Sequence, residues 1–207
     1  MARYGPQFGA VIEALKLAVA TLRDRDVTFM LGGSVAAWAR GGPEPQNDLD
    51  LMVKPQDAEA ALTALADAGM RTERPPEEWL FKAWHGDVLI DLIFQPSGVT
   101  LTDDVFARAD TLPIEAVATP VMALDDVVVT MLCAIDEHTL EYTRLVALAR
   151  ALREQIDWPS LRTRTAASPY AAAFFTLVEG LGIAPASAGI GAGTDPGAPR
   201  VRVVPAG

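Results

Sequence analysis

The spacing of apolar residues changes at Thr119-Pro120 in this chain of 207 residues. Before that point, short apolar runs typical of strands alternate with segments in which apolar residues recur every three or four positions, as in amphipathic helices. From Leu124 to about Ile183 only the helical spacing occurs. The chain therefore predicts an α+β fold in two parts, with strands and helices over residues 1–118 and a small helical domain over residues 119–183.

Beyond Ile183 the composition changes again, to mostly Gly, Ala, Pro and Ser without periodicity. Such a segment buries too little apolar surface to offset the entropy that ordering costs. We expect residues 184–207 to form a disordered or loosely packed tail. The chain as a whole is 50% hydrophobic, which is enough for a sizeable core in the two preceding parts.

The charge and the cysteine content limit the functions and the cellular compartment that suit this chain. With 17 basic and 27 acidic residues, the formal charge is −10, which argues against broad, sequence-independent binding to nucleic acid. The single cysteine, Cys133, excludes an intrachain disulfide and fits a reducing compartment. No stretch approaches the roughly 18 apolar residues of a membrane span. We therefore expect a cytoplasmic protein with no membrane partner.

A glycine-rich turn and a pair of acidic residues stand close together in the first part. The apolar run Val27–Leu31 predicts a buried strand, which ends at Gly32-Gly33, and Ser34 begins a predicted short helix. The two glycines leave room for a phosphate to approach the backbone, and the serine offers a hydroxyl. After a Gly/Pro-rich loop, Asp48-Leu49-Asp50 alternates polar and apolar residues, which predicts a strand with both carboxylates on one face, roughly 6.5 Å apart. That arrangement suits two hard cations.

A third acidic residue, Asp91, interrupts the apolar run Val88–Phe94, which is the second arm of a predicted hairpin turning at Gly86. A lone aspartate within an apolar strand is costly unless it is paired or bound to a metal. If its strand adjoins that of Asp48, Asp91 can bind the second metal or accept the proton of an attacking hydroxyl. Each of these features alone has an ordinary structural interpretation, as a turn or a solvated strand, but their combination favours a site.

The segment LGGSVAAWARGGPEPQNDLDLMV, together with Asp91 in DVLIDLIF, resembles the polymerase-beta-like nucleotidyltransferase superfamily. The resemblance is closest to bacterial abortive-infection and MenT-like nucleotidyltransferase toxins. It implies a mixed sheet with flanking helices, and an enzyme that uses two Mg²⁺ ions to transfer a nucleoside monophosphate from an NTP to an acceptor hydroxyl. For the toxins that hydroxyl is at the 3′ end of a tRNA, within a toxin–antitoxin system, so the resemblance also implies an antitoxin partner.

On this interpretation the site residues have assigned roles. Asp48, Asp50 and Asp91 are the catalytic and metal-binding residues. The nucleotide-binding residues are Gly32, Gly33, Ser34 and Arg144. The toxins carry a lysine that touches the triphosphate about where this chain has Met131, and Arg144 on the next helix is the candidate to replace its charge.

Two alternatives stay open. One is a catalytically weakened module that binds a nucleotide or a partner chain. The other is a nucleotidyltransferase that acts on a small molecule, such as an antibiotic, or on a protein. The arginines of the helical part form either a phosphate-contacting patch or a solvated helix face with local ion pairs. Trp38 is expected to pack against the sheet, with base stacking as the alternative, and Arg40 and Lys54 are further candidates for phosphate contact.

Overall fold

The computed structural model describes residues 5–45 and 48–186. The α-helices in these ranges are α1 (Pro6–Asp24), α2 (Gly33–Ala39), α3 (Ala58–Asp67), α4 (Asp103–Ala107), α5 (Leu124–Cys133), α6 (Thr143–Leu152), α7 (Trp158–Arg164) and α8 (Pro169–Gly180). The strands are β1 (Phe29–Leu31), β2 (Asp48–Val53), β3 (Arg71–Glu73), β4 (Leu80–His85), β5 (Val88–Ile93), β6 (Asp110–Ile114) and β7 (Val117–Val121). A short 3-10 helix, Pro55–Asp57, precedes α3.

The strands form one mixed sheet in the order β3-β4-β5-β2-β1-β7-β6. The pairs β2–β5 and β1–β7 are parallel, and the other neighbours are antiparallel. A mixed sheet with flanking helices confirms the predicted α+β fold class. Because β2 and β5 are adjacent at the centre of the sheet, residues on these two strands lie side by side.

The two faces of the central strands differ in chemistry. Leu49, Leu51, Ile90 and Leu92 are fully buried in a core to which α1 and α3 contribute. Since side chains alternate along a strand, the residues between these leucines and isoleucine point to the opposite face. The sheet is thus apolar towards α1 and α3 and presents its acidic residues on the other side.

The helical part has its own core, built by α5, α6, α7 and α8 and reaching Ala37 of α2. Helix α5 connects the two parts, since it contacts α2 as well as the other three helices. The sheet extends to Val121, and α5 begins at Leu124, so the strand β7 runs past the division expected at residue 118. The division into two domains stays a prediction. Ala184 is buried, and the tail beyond residue 186 lies outside the described residues.

Two elements differ from their sequence-based prediction. A single strand is predicted over 114–118, but the segment is the turn of the β6–β7 hairpin, where Glu115 adopts a positive φ of 54°. A helix is predicted from Thr139, but α6 begins at Thr143. The Asp136 side chain accepts the backbone N–H of His138 at 2.9 Å and holds this stretch in a turn. None of the described helices has the length and apolar character needed to cross a membrane.

Candidate active site

Strand pairing brings the three aspartates onto one face of the sheet. Asp50 of β2 lies directly opposite Asp91 of β5, and Asp48 precedes Asp50 by two residues on the same strand. Neighbouring strands are about 4.8 Å apart, and alternate residues share a face. The sequence predicts a joint site only if the strands of Asp48 and Asp91 are neighbours, and the structure shows that they are. We call Asp48, Asp50 and Asp91 the acidic face.

The glycine turn lies against this face. Gly33 adopts a positive φ of 51°, and a Cβ atom added there would lie 1.7 Å from Asp50 Oδ2. Only glycine allows both this conformation and this approach. The N–H of Gly32 donates to the backbone carbonyl of Asp50 at 2.9 Å, which anchors the turn to β2. Next in the chain, the Oγ atom of Ser34 is buried and has no hydrogen-bond partner within the described ranges.

The acidic face is electrostatically unfavourable in the protein by itself. Burial, and then the charges of Asp48 and Asp91, raise the pKa of Asp50 to about 7. Burial also raises the pKa of Asp91, against the charge of Lys82, which lowers it. One oxygen of Asp91, Oδ1, is buried without a hydrogen-bond partner among the described residues. A bound cation would relieve all three effects, because it favours the charged form of each carboxyl group.

Lys82 is a neighbour of the site that the sequence analysis did not single out. It lies on β4, directly opposite Asp91, and is partly buried. The signal was present in the hairpin: a two-residue turn at Gly86-Asp87 pairs His85 with Val88, and counting back along both arms places Lys82 opposite Asp91.

Two clefts open on either side of the acidic face. The first, the α6 cleft, has a volume of about 290 Å³ and is lined by Ser34, Asp48 and the α6 residue Arg144. The second, the Trp79 cleft, has a volume of about 450 Å³ and extends over the ends of β2 and β5 beneath α5. The two clefts have three lining residues in common, Gly33, Asp50 and Met131. The acidic face is thus accessible from two directions.

The structure places most of the predicted site residues around the α6 cleft. Gly33, Ser34, Asp48, Asp50 and Arg144 all line it. Gly32 and Asp91 lie directly behind this set, since each is held against Asp50 by strand pairing or a backbone hydrogen bond. The roles assigned to these residues stay predictions.

Met131, which the resemblance to the toxins places about where they carry lysine, lines both clefts and so faces the site. A thioether cannot contribute positive charge there. Arg144 is exposed at the wall of the α6 cleft. Among the described residues that line this cleft, it is the only one with a cationic side chain.

Three arginines of the helical part have ion-pair partners away from the clefts. Their pairs are Arg153 with Glu154, Arg162 with Glu179, and Arg164 with Asp126. None of these is an i,i+3 or i,i+4 pair of a solvated helix face, since the second and third join different helices and are partly buried. None of the three arginines lines either cleft, so these contacts do not support a common phosphate patch beside the site either.

Three further sequence candidates make structural contacts. Arg40 donates to the carbonyls of Val121 and Met122 and forms an ion pair with Asp110 at 2.8 Å.

Lys54 forms an ion pair with Asp103. Trp38 packs edge-on against Phe8 of α1, with ring centroids 4.8 Å apart, and against the main core cluster. This is a packing contact, but its ring partner is on α1 and not on the sheet.

The residues of the acidic face fit a Mg²⁺ site that is completed by substrate. Within the described ranges, no three His, Cys, Asp or Glu side chains form a ready-made metal cage. Mg²⁺ does not require one, because it usually retains waters and is bound by one or two carboxylates together with substrate phosphates. The unpartnered Oδ1 of Asp91 and the raised pKa of Asp50 are the features expected of carboxyl groups that share a cation.

Comparisons with known proteins agree with the fold of this chain. The solution structure of the antibiotic-resistance factor ANT(2″)-Ia aligns with a TM-score of 0.60 and 14% identity, covering 84% of this chain and 98% of that chain. The crystal structure of ANT(2″)-Ia in complex with adenylyl-2″-tobramycin aligns with a TM-score of 0.57 and 15% identity, covering 79% and 98%. At these identities the likeness shows a common fold. No curated protein sequence matches this chain.

A protein-family model described as uncharacterised nucleotidyltransferase matches residues 32–179. The match begins at the glycine turn, includes all three aspartates of the acidic face and ends within α8. Nothing in these comparisons singles out the MenT-like toxins, so that subgroup stays a prediction. Since the match covers most of the chain and the whole candidate site, this chain belongs to the uncharacterised nucleotidyltransferase family.

Proposed function

We propose that this chain is a Mg²⁺-dependent enzyme that transfers a nucleoside monophosphate from an NTP to an acceptor hydroxyl. The observation that carries the proposal is the pairing of Asp50 with Asp91 beside the left-handed Gly33. This pairing combines a shared carboxylate face with backbone that a phosphate can approach. Two metal ions on such a face can stabilise the attacking and leaving oxygens of an in-line displacement.

Asp48 and Asp50 would hold the Mg²⁺ ions, with Asp91 as a further ligand or as the base. The ions supply charge neutralisation and orientation for the phosphates. The buried hydroxyl of Ser34 donates to a phosphate oxygen, and Arg144 contributes charge from the wall of the α6 cleft. We therefore assign the triphosphate to the α6 cleft.

The transfer step requires one proton acceptor. The acceptor oxygen forms a bond to the α-phosphorus, the bond from that phosphorus to the bridging oxygen breaks, and pyrophosphate leaves with the electron pair. Asp91 takes the proton of the hydroxyl. Its raised pKa, caused first by burial, makes its carboxylate a better base than a solvated one.

The test combines binding with transfer. Each α-labelled NTP is added with MgCl₂ to the full chain, and label is followed into total RNA, total protein and a small-molecule pool. We expect a Mg²⁺-dependent rise in Tm with at least one NTP and label in one pool. Both should be lost in Asp48→Ala and Asp50→Ala and retained in Asp87→Asn, which changes an exposed acid in the hairpin turn.

Each outcome distinguishes the alternatives. Label at the 3′ end of tRNA would support the acceptor that the toxin prediction implies. NTP binding that is independent of Mg²⁺ and of both aspartates, without transfer, would favour the weakened binding module. A folded protein that binds no NTP with any divalent cation would contradict the proposal.

A further inference from the structure

We propose that the Trp79 cleft is the acceptor site, and that the acceptor is a small hydroxyl-bearing molecule with an apolar face and little or no net charge. This inference rests on the proposed function. It deepens that function by naming the class of acceptor.

The size of the cleft favours a small molecule. Its volume of about 450 Å³ lies within the range of small-molecule sites, roughly 300–1,000 Å³. It is also partly enclosed, with the sheet below and α5 above. A folded RNA or protein would have to insert a single residue or nucleotide, whereas a small molecule can occupy the whole space.

The lining is mainly apolar. Met52 and Ile93 form the floor, and Met131 of α5 and Ala134, which directly follows α5, form the roof. Uncharged polar groups are contributed by Gln95 and others in the loop that follows β5. A few polar groups within an apolar lining are typical of sites that orient a ligand through selected hydrogen bonds.

The charge of the lining argues against nucleic acids and against polycations as acceptors. None of the described residues that line the Trp79 cleft is Lys, Arg or His, so the cleft has no cation with which to hold an RNA backbone. Its acidic lining residues are Asp50, which belongs to the acidic face, and Asp136 at the rim. A polycation would require several carboxylates outside the metal site, and the lining offers one.

Trp79 gives the cleft an aromatic wall. Its side chain is 42% exposed, which is unusual for a tryptophan. Its carbonyl accepts the N–H groups of Phe94 and Gln95, at 3.0 and 3.2 Å, so its backbone is fixed at the open end of the β4–β5 hairpin. An indole held in this way can stack on a planar or sugar face of a ligand.

The loop that follows β5 lines the cleft at Gln95, Pro96 and Ser97, forms a second wall and is also well fixed. Gly98 adopts a φ of +74°, and a Cβ atom there would lie 2.6 Å from Cys133 Sγ and 3.0 Å from Val129 Cγ1. The loop after β5 is therefore packed closely against α5. Both walls exist before any ligand binds, which lowers the entropic cost of binding.

The position of the cleft suits an acceptor. Ile93 on its floor lies two residues after Asp91 on the same face of β5, roughly 6.5 Å along the strand. Gly33, Asp50 and Met131 separate it from the α6 cleft, to which we assign the triphosphate. A hydroxyl that enters from the Trp79 cleft would therefore approach the α-phosphate from the side of Asp91.

Binding can be tested with phenyl β-D-glucoside, an uncharged probe with an aromatic ring and several hydroxyls. We expect saturable binding by NMR or calorimetry, at least tenfold weaker in Trp79→Ala. The matched control is Trp84→Ala, which removes a tryptophan of the same hairpin that stacks on Arg71 outside both clefts and should leave the Kd unchanged. Absence of glucoside binding, insensitivity to Trp79, or tighter binding of tobramycin or tRNA would overturn the proposal.

Measuring the Kd for the NTP distinguishes a failure of this proposal from a failure of the proposed function. Trp79→Ala should raise the KM for the acceptor at least tenfold and leave the Kd for the Mg²⁺–NTP complex unchanged. A raised Kd for the NTP with an unchanged acceptor KM would assign the cleft to the nucleoside instead and overturn the proposal. If the unsubstituted chain binds the glucoside through Trp79 but no NTP, the proposed function fails while the ligand class of the cleft stands.

Discussion

Asp50 is the residue at which folding and the proposed activity conflict. Its carboxyl group is protonated in both folded and unfolded chains well below its ordinary pKa of 3.8. Between that value and the folded value of about 7, only the unfolded chain loses the proton readily. The free energy of unfolding therefore falls as the pH rises from about 3.8 to about 7. Above pH 7 the whole destabilising effect of Asp50 on the metal-free protein is present.

Asp50→Asn should thus stabilise the metal-free protein at high pH. We expect the free energy of unfolding at pH 8 in EDTA to rise by about 1–3 kcal/mol, and to change little at pH 4. Urea unfolding at the two pH values measures the difference. Added Mg²⁺ should stabilise the unsubstituted chain and have little effect on the variant. Equal stability of the two proteins at pH 8 would show that the acidic face carries no such cost.

Asp91 should affect the chemical step more than binding. Replacement by asparagine keeps the size of the side chain and removes the proposed base, so we expect kcat to fall by about 10²–10⁴-fold with a much smaller change in the Kd of the Mg²⁺–NTP complex. Single-turnover kinetics and calorimetry measure the two quantities. A loss confined to NTP binding would instead make Asp91 a metal ligand alone.

Among the elements, the turn from β1 to α2 determines how closely backbone approaches the acidic face. Gly33 and Gly86 have similar positive φ values, 51° and 59°, but different surroundings. A Cβ atom at Gly33 would overlap the Asp50 carboxylate, whereas one at Gly86 would meet nothing within 4 Å. The two positions therefore separate backbone strain from displacement of Asp50.

Gly86→Ala should cost about 1 kcal/mol, from the conformational strain alone, and leave transfer unchanged. Gly33→Ala should cost more than this and abolish transfer, because Asp50 must move. Thermal unfolding and the labelled-NTP assay test both. Similar activity in the two variants would mean that the approach of Gly33 to Asp50 has no catalytic importance.

The same elements show what the sequence can predict. The glycine turn and the alternation of Asp48 and Asp50 are local patterns, so the sequence alone is enough to predict them. The register of Lys82 also follows from a local feature, the two-residue hairpin turn. The parallel pairing of β2 with β5 is different, because 34 residues separate the two strands, from Val53 to Val88, and no local rule selects that neighbour. The clefts depend on how α5 and α6 pack over the sheet, which periodicity does not reveal.

At the scale of the whole molecule, Asp126 joins elements that are distant in sequence. This carboxylate on α5 is 1% exposed and forms ion pairs with Arg108, after α4, and with Arg164 of α7. It therefore links α5 to the segment after α4 and to α7 of the helical part. Removing one member of a buried ion network leaves uncompensated charge behind.

Asp126→Ala should lower the free energy of unfolding by about 2–4 kcal/mol. The control is Asp67→Ala, which breaks an exposed ion pair with Arg25 and should cost less than about 1 kcal/mol. Urea unfolding compares the two variants. Equal losses would show that the Asp126 network contributes no more than a surface pair.

The partition between the two clefts has a consequence for inhibition and for evolution. Met131 borders both, so a change in that one side chain alters two chambers at once. If the two clefts hold the triphosphate and the acceptor as proposed, adaptation to a new acceptor through this position would also change how the triphosphate is bound. Conversely, a single compound that joined a nucleotide to an acceptor analogue would have to pass only Gly33, Asp50 and Met131, the three residues that line both clefts.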